Sequence, residues 1–394
     1  MAISDKVRNS MVAGSFIRRM FEEGMALKKI YGEDKVFDLT IGNPIMEPPE
    51  AFQRELKRLA DHPIPGMHRY MENAGYPETR AAIAAQLKKE TGIDFKWEEI
   101  VMTVGSAGAL NAVFKALLNP GEEIITFAPY FFEYASFADN HGGVIKILPS
   151  DKSFNPDFSA LEAGITPKTK ALVINSPNNP TGVVYSDQVL KTIAGIVERK
   201  SREFKTRIYI ISDDVYIKLY YGESRCPRIL HYYPHSIVVT SHSKDLSLPG
   251  ERIGYAAVHP DCEDAREVVN GIIYANRVLG FVNAPALMQI VIRNLQDVSV
   301  SVAEYRRKRD FLFDNLTRMG YKIVKPEGAF YIFPESPLND DLAFVNELKN
   351  HHVLVVPGSA FKAPGYFRIS YCLDDRTLEG SLEGFYKIAK KYLN

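Results

Sequence analysis

Short apolar segments alternate with small-residue turns and helix-forming segments through residues 100–259, and this alternation restricts the possible folds more than any other feature. The predicted strands cover residues 100–103, 123–127, 144–148, 170–175, 207–212, 236–240 and 253–259. Segment 207–212 is largely apolar, which is typical of a strand buried on both faces. Strands that alternate with helices in this way predict an α/β fold, with a mostly parallel sheet between two layers of helices.

The pattern changes after about residue 260. A long helical segment is predicted to run to residue 319, and short strands at 322–324, 330–333, 353–356 and 367–370 then alternate with helices. This succession is typical of a smaller α+β domain. We therefore predict a large domain over residues 44–290 and a small domain over residues 291–394. An N-terminal segment, residues 1–43, joins the two and contains a short strand at 36–41.

Composition excludes several classes of protein. The 394 residues carry 48 basic and 48 acidic side chains, so no overall positive charge favours nucleic acid. The three cysteines are scattered without a C-x-x-C pair, which argues against a disulfide framework and a structural zinc site. No apolar run approaches the roughly 20 residues of a membrane span, and the N-terminus lacks an apolar signal core. We expect a cytoplasmic protein without a membrane, nucleic-acid or metal partner.

Unusual polar residues lie at the ends of five of the predicted strands, and ligands of parallel sheets collect at the carboxyl ends of strands. The motifs are 105–108 (GSAG), 175–182 (NSPNNPTG), 212–216 (SDDVY), 241–244 (SHSK) with Arg252, and 366–370 (YFRIS). Each alone has an ordinary structural explanation as a turn, a helix cap or a surface ion pair. Hydroxyls with one lysine and one arginine at a strand end also suit an anion beside a nucleophilic amine.

Taken together and in this order, the motifs resemble those of the class I/II aminotransferases, the fold-type-I pyridoxal-phosphate-dependent enzymes. The resemblance extends over about residues 38–371 and rests on the combination of S-x-S-K…R-x-G, N-N-P-T-G and D-D-V-Y. It implies a three-layer α/β/α large domain and a smaller α+β domain. It also implies transfer of the α-amino group between an L-amino acid and a 2-oxo acid.

The resemblance assigns the reactive groups of the pyridoxal 5'-phosphate site. Lys244 resembles the lysine that forms the Schiff base with the cofactor and later moves the proton at the substrate Cα, which requires an amine. Asp213 resembles the carboxylate that keeps the pyridine nitrogen protonated, so that the ring can accept electrons. Its neighbour Asp214 is expected to act as a cap or structural acceptor. Tyr216 and Asn179 resemble the donors to the cofactor's phenolic oxygen.

The cofactor phosphate needs a helix N-terminus and fixed donors. The resemblance assigns the backbone N–H groups of Ser106 and Ala107 to the first requirement. Arg252 and the hydroxyl of Ser241 meet the second, and Ser243 is a further hydroxyl candidate.

An aromatic ring is expected against the face of the cofactor ring. Phe131 aligns with that position, early in a helix predicted to follow strand 123–127, and Tyr130 is the alternative. A core aromatic residue would produce the same pattern.

The resemblance also assigns the substrate pocket and a partner subunit. Arg368 resembles the arginine that holds the substrate α-carboxylate through a bidentate fork. Asn179 and the backbone of Gly42 complete that pocket. Tyr70 resembles a tyrosine donated across a dimer interface to the neighbouring phosphate, which implies a homodimer with shared active sites.

Three questions stay open at this stage. The same scaffold serves lyases and decarboxylases, because the electron-accepting ring is common to all of them. A non-enzymatic ligand sensor would need a DNA-binding domain, for which the roughly 40 residues before Gly42 leave no room.

The substrate is undetermined. Ala107 stands where some aspartate-type members have a lysine, so one partner for a distal carboxylate is missing. Arg277 is near the position of another substrate arginine but offset by one residue, and the many aromatic residues suit an apolar side chain.

Overall fold

The computed structural model describes residues 2–5, 7, 8, 11 and 15–393, with the backbone alone for residues 15–22. In chain order the strands are β1 (Phe37–Asp38), β2 (Ile100–Thr103), β3 (Glu123–Phe127), β4 (Val144–Leu148), β5 (Thr169–Ile174), β6 (Tyr209–Asp213), β7 (Ser236–Ser241), β8 (Gly254–Val258), β9 (Tyr331–Ile332), β10 (Val353–Leu354), β11 (Val356–Pro357) and β12 (Phe367–Ser370).

The helices are α1 (Ser15–Tyr31), α2 (Glu50–Asp61), α3 (Pro77–Thr91), α4 (Gly105–Leu117), α5 (Glu133–Asn140), α6 (Phe158–Gly164), α7 (Asp187–Phe204), α8 (His242–Asp245), α9 (Ala265–Val278), α10 (Ala286–Ile292), α11 (Val302–Arg318), α12 (Asp341–Lys349) and α13 (Asp375–Tyr392). None of these helices combines the length and the apolar character needed to cross a membrane.

The central sheet has seven strands in the order β2-β8-β7-β6-β5-β3-β4. The strands from β4 to β7 are parallel, whereas β8 is antiparallel to both β7 and β2. Successive side chains of a strand point to opposite faces. Ile211 on β6 therefore packs into the apolar cluster on one face, and its neighbour Ile210 packs into the cluster on the other. These observations confirm the predicted α/β fold with covered faces.

A second apolar core lies outside the central sheet. Strand β1 pairs with β10, and β11, β12 and β9 form a small antiparallel sheet. Buried side chains of these strands and of neighbouring segments, including Val36, Leu354, Phe367 and Phe385 of α13, belong to one cluster. Residues 36–39 therefore pack with the last third of the chain.

Several predicted elements differ from the structure because of their neighbours. Residues 322–324 lie outside the strands, since their single backbone link is from Glu335 N to Lys322 O at 3.0 Å. The predicted strand 353–356 is broken at Val355, where the chain changes partner from β1 to β12. Only two residues of the predicted strand 36–41 form β1.

The helical segment predicted to end at residue 319 is three helices. Helix α9 ends before Gly280, whose φ of +89° is left-handed. Pro285 precedes α10, and Ser301 caps α11 by accepting a hydrogen bond from Glu304 N. Phe131 also lies before its predicted helix rather than within it, because α5 begins at Glu133.

Candidate active site

The carboxyl ends of β5, β6 and β7 and the start of α4 surround a cavity of about 670 Å³. It contains twelve of the thirteen residues predicted for the site: Gly42, Ser106, Ala107, Phe131, Asn179, Asp213, Tyr216, Ser241, Ser243, Lys244, Arg252 and Arg368. Tyr70 lies outside the lining, with 89% of its surface exposed. The alternative aromatic residue, Tyr130, is buried outside the lining, and Arg277 is an exposed residue of α9.

Lys244 lies on α8, the single helical turn that follows β7. Its Nζ donates a hydrogen bond to the carbonyl oxygen of Gly42 at 2.8 Å, and lies 5.5 Å from the centre of the Phe330 ring. Burial lowers the pKa of Lys244 to about 8, and the positive charges of Arg368 and Arg252 act in the same direction. About a tenth of this amine is therefore neutral and nucleophilic at pH 7, far more than for a lysine with an ordinary pKa.

Asp213 is the last residue of β6 and is 4% exposed. Its Oδ2 accepts a hydrogen bond from Tyr134 Oη at 2.6 Å, while its buried Oδ1 has no partner. Burial raises the pKa of Asp213 to about 7, and the charge of Asp214 adds to this, whereas the Tyr134 hydrogen bond opposes it. The carboxylate therefore faces the cavity without the cation that would favour its ionised form.

Asp214 points away from the cavity. Its Oδ1 accepts a hydrogen bond from Ser212 Oγ at 2.5 Å, and its Oδ2 lies 3.8 Å from Arg228 Nη1. This geometry matches the structural acceptor expected from the sequence.

One end of the cavity is suited to an anion. The backbone N–H groups at the start of α4, including those of Ser106 and Ala107, lack carbonyl partners within the helix. Gly105 has a φ of +68°, and a Cβ there would lie 2.7 Å from Arg252 Nη2, so glycine permits the close approach of the guanidinium. Ser241 Oγ accepts a hydrogen bond from Ser243 N at 3.4 Å. Backbone donors, hydroxyls and one arginine suit a phosphate group.

Arg368 marks the other end of the cavity and is 6% exposed. Its Nη1 donates to Asn179 Oδ1 at 3.0 Å and its Nη2 to the Thr40 carbonyl oxygen at 2.7 Å, while its buried Nε has no partner. The guanidinium also lies 4.6 Å from the Tyr331 ring centre. Among the described side chains no carboxylate pairs with Arg368, so its charge is available to a ligand carboxylate.

Tyr216 and Phe131 form further parts of the wall. The hydroxyl of Tyr216 is 3.1 Å from that of Tyr331, and burial raises its pKa well above the usual value, so it stays protonated. The Phe131 ring meets Tyr134 edge to face, with centroids 5.5 Å apart.

Several residues that shape the site are absent from the set predicted from the sequence. Asn175 donates to the Asp213 carbonyl oxygen at 2.7 Å and accepts from Asn179 N at 2.7 Å. It lies within the motif 175–182, which was the signal for it. Tyr134 follows the predicted aromatic position by three residues. Thr40 and Tyr331 come from segments without a recognisable motif.

These groups fit pyridoxal phosphate on structural grounds. The unpartnered Asp213 oxygen suits a protonated ring nitrogen, the close approach of Arg252 to Gly105 suits a phosphate, and Lys244 in the same cavity is the amine that an aldehyde needs. The described residues contain no group of three side chains that could hold a metal ion. The fold and the cavity thus define the class of α/β enzymes that bind pyridoxal phosphate.

Comparison with known proteins identifies the family. "Aminotransferase class I and II" matches residues 34–385. The aspartate/prephenate aminotransferase of Thermus thermophilus is 34% identical, over 89% of this chain and 90% of that protein. Aromatic-amino-acid aminotransferase 2 of Thermococcus litoralis is 31% identical over 99% of both. A crystal structure of an amino transferase from Eubacterium rectale is 38% identical, covers 100% of both chains and has a TM-score of 0.96.

The chain therefore belongs to the class I and II aminotransferase family. It has the fold-type-I architecture and is a pyridoxal-phosphate-dependent transferase of amino groups. The comparisons confirm the fold, the cofactor and the reaction class inferred from the sequence. They give no support to a lyase or a decarboxylase.

Proposed function

We propose that the enzyme moves the α-amino group between an L-amino acid and a 2-oxo acid, with Lys244 as its reactive amine. The observation that carries this proposal is the position of Lys244. It lies in the same cavity as an anion site at Arg252 and a carboxylate site at Arg368, and both cations lower its pKa.

The cofactor would be held by groups at three positions. The helix start at Ser106 and Ala107, with Arg252, Ser241 and Ser243, binds the phosphate. Asp213 would bind the ring nitrogen, and Phe131 would cover one ring face. The Tyr216 hydroxyl and the Asn179 side chain donate to the phenolic oxygen. When bound, pyridoxal phosphate supplies an aldehyde that condenses with amines and a ring that withdraws electrons from the substrate Cα.

Arg368 orients the substrate by binding its α-carboxylate, with Asn179 beside it and the Gly42 backbone at the edge of the pocket. Lys244 Nζ then removes the proton from Cα and returns a proton in the second half of the reaction. Burial and the two arginines favour the neutral form of Lys244 that accepts this proton. Apolar and aromatic walls exclude water while the proton is moved.

We further propose a homodimer in the cytoplasm. Tyr70 has 89% of its surface exposed within one chain. A large aromatic side chain with that exposure suits an interface with a second copy, where it would reach the partner's phosphate site. We also propose that residues 44–290 and 291–394 act as a large and a small domain, because the central sheet and the second apolar core fall largely on the two sides of that division.

Replacement of Lys244 by alanine tests the central assignment. We expect the variant to lose the absorbance of the covalently attached cofactor and to lose measurable amino transfer, because no other amine replaces Nζ. Lys115→Ala is the control, since Lys115 is an exposed residue of α4 outside the cavity. Normal turnover in the Lys244 variant would contradict the proposal. The products distinguish the reaction type: a 2-oxo acid with an aminated cofactor supports transfer, whereas ammonia with pyruvate indicates a lyase.

A further inference from the structure

Five charged side chains line the described part of the cavity, and the proposed reaction uses four of them. In that scheme Arg368 binds the substrate carboxylate and Lys244 moves the proton at Cα. Asp213 binds the ring nitrogen of the cofactor, and Arg252 binds its phosphate. The fifth is Glu133, the first residue of α5, which has no role in that scheme.

Glu133 is a carboxylate without a partner. Its side chain is half-buried, and none of the hydrogen bonds or ion pairs of the described residues involves its carboxylate. Burial raises the pKa of Glu133, and the positive charge of Arg252 opposes this. Removing an acidic group from water without a compensating contact is unfavourable. A ligand group that reaches Glu133 would provide that contact.

The tetrahedral geometry of the substrate Cα indicates which part of the ligand reaches Glu133. The Cα carries four groups: the nitrogen would face the cofactor, the hydrogen would face Lys244 and the carboxylate would face Arg368. The fourth group is the side chain, which is then directed away from Arg368 and towards the rest of the cavity lining. That lining includes Glu133, which is near enough to Arg252 for the guanidinium charge to act on it, and the small, uncharged Ala107, which adds no further cation.

We propose that Glu133 forms a subsite that selects substrates by the charge of their side chain. It accepts hydrogen bonds from an amide or ammonium group and repels a second carboxylate. This inference rests on the proposed function, since it takes the position of Cα from Lys244 and Arg368. The substrate class that it names is amino acids with a neutral or cationic hydrogen-bond donor beyond Cβ. Aromatic walls at Phe131 and Phe132 flank the subsite.

The experiment compares Glu133→Gln with the unchanged holoenzyme on substrate pairs that differ in charge but hardly in shape. The pairs are glutamine with glutamate and asparagine with aspartate. We expect the unchanged enzyme to have the higher kcat/KM for each amide. The variant should reduce that preference by roughly tenfold to a hundredfold, mainly by improving the acid, because one charge repulsion has been removed.

Binding without turnover gives an independent readout. Succinate and its monoamide, succinamate, test the same pair of groups. The dissociation constant of succinate should fall in Glu133→Gln, and that of succinamate should not. Glu251→Gln is the matched control, because Glu251 adjoins Arg252 in the sequence but lies outside the cavity lining. It should change neither ratio.

Two results would overturn the inference. The first is an active variant whose amide-to-acid ratios are unchanged. The second is an equal change in kcat/KM for all four substrates together with an altered affinity for pyridoxal phosphate. That result would show that Glu133 acts by positioning Arg252 rather than by contacting the substrate side chain. Failure of the proposed function would give a different result from failure of the subsite. The unchanged enzyme would then show no amino transfer, and its activity would equal that of Lys244→Ala.

Discussion

The active-site cavity contains two arginines, Arg252 and Arg368, which differ in their exposure and in the groups that position them. Arg252 is exposed and has a left-handed backbone conformation, its Nη1 donates to the Pro249 carbonyl oxygen at 2.9 Å, and its guanidinium lies against Gly105 at the start of α4. Arg368 is buried, and an amide oxygen and a carbonyl oxygen position it. An anion that contacts several backbone and hydroxyl donors besides one arginine is suited to remain bound, as a cofactor phosphate does. A carboxylate that contacts only one buried guanidinium is suited to enter and leave, as a substrate does. If Arg252 binds the cofactor phosphate and Arg368 the substrate carboxylate, as proposed, the contrast would let one cavity retain a cofactor and still exchange substrates.

After loss of the reactive amine itself, the largest effect should come from Asp213. We expect Asp213→Asn to lower kcat by roughly a hundredfold to a thousandfold, because loss of one preorganised charge at a reaction centre costs about that much. Substrate binding at Arg368 should change far less. Steady-state kinetics at saturating cofactor test this, and an unchanged kcat would contradict the assignment of Asp213.

The same variant has a second readout in the apoprotein. The pKa of Asp213 is raised to about 7 from an ordinary value of 3.8, so this group favours folding below pH 4 and progressively less as the pH rises through 7. Asparagine carries no such titration. The apo form of Asp213→Asn should therefore be more stable than the unchanged apoprotein at pH 8, and the difference should shrink at pH 5. Thermal unfolding at both pH values measures it.

Identical substitutions at the two arginines test the contrast directly. Arg368→Lys should raise KM by roughly tenfold to a hundredfold, because a buried bidentate fork becomes a point charge. Arg252→Lys should weaken cofactor binding by a smaller factor, since lysine also binds phosphate and the backbone donors of α4 remain. Titration with pyridoxal phosphate and measurement of KM separate the two quantities. Equal effects of both variants on both quantities would show that the two ends are not distinct.

The smallest expected effect concerns the amine between the ends. Lys244 has a pKa of about 8, so its neutral fraction rises about tenfold for each pH unit below that value and levels off above it. The rate at which the apoprotein takes up pyridoxal phosphate should follow the same curve. Arg368→Met should move the midpoint of that curve upwards, because one of the charges that lower the pKa is removed. A rate independent of pH between 6 and 9 would contradict this.

The central sheet could be predicted from the sequence because most of its strands are buried on both faces and thus appear as apolar runs. Strand β6 is an example, with every residue buried. The bounds of short strands were less predictable, because they depend on which strand each segment pairs with rather than on its own composition. Residues 353–356 are apolar throughout, yet the chain exchanges one partner strand for another at Val355.

The site was predictable where its residues share a short motif and unpredictable where tertiary contacts bring them together. Lys244 and Asp213 follow strands whose ends converge at one edge of the sheet. Thr40 and Tyr331 reach the cavity from segments far apart in the chain, and no local pattern marks them. The helix boundary near Phe131 was misplaced because Pro129 has no N–H, and Tyr130 N bonds to the Phe361 carbonyl oxygen at 3.4 Å.

The hydrogen bonds of Arg368 have one more consequence, which concerns the number of its donors. A guanidinium has five N–H donors, and two of those in Arg368 are directed at Asn179 and Thr40. The remaining three include the Nε–H, which has no partner within the described structure. A carboxylate needs two donors for a bidentate contact, so it can bind without displacing either existing partner. In its proposed role the arginine is therefore set in its binding geometry before any substrate arrives, and the entropy of ordering its long side chain is lost on folding rather than at each turnover.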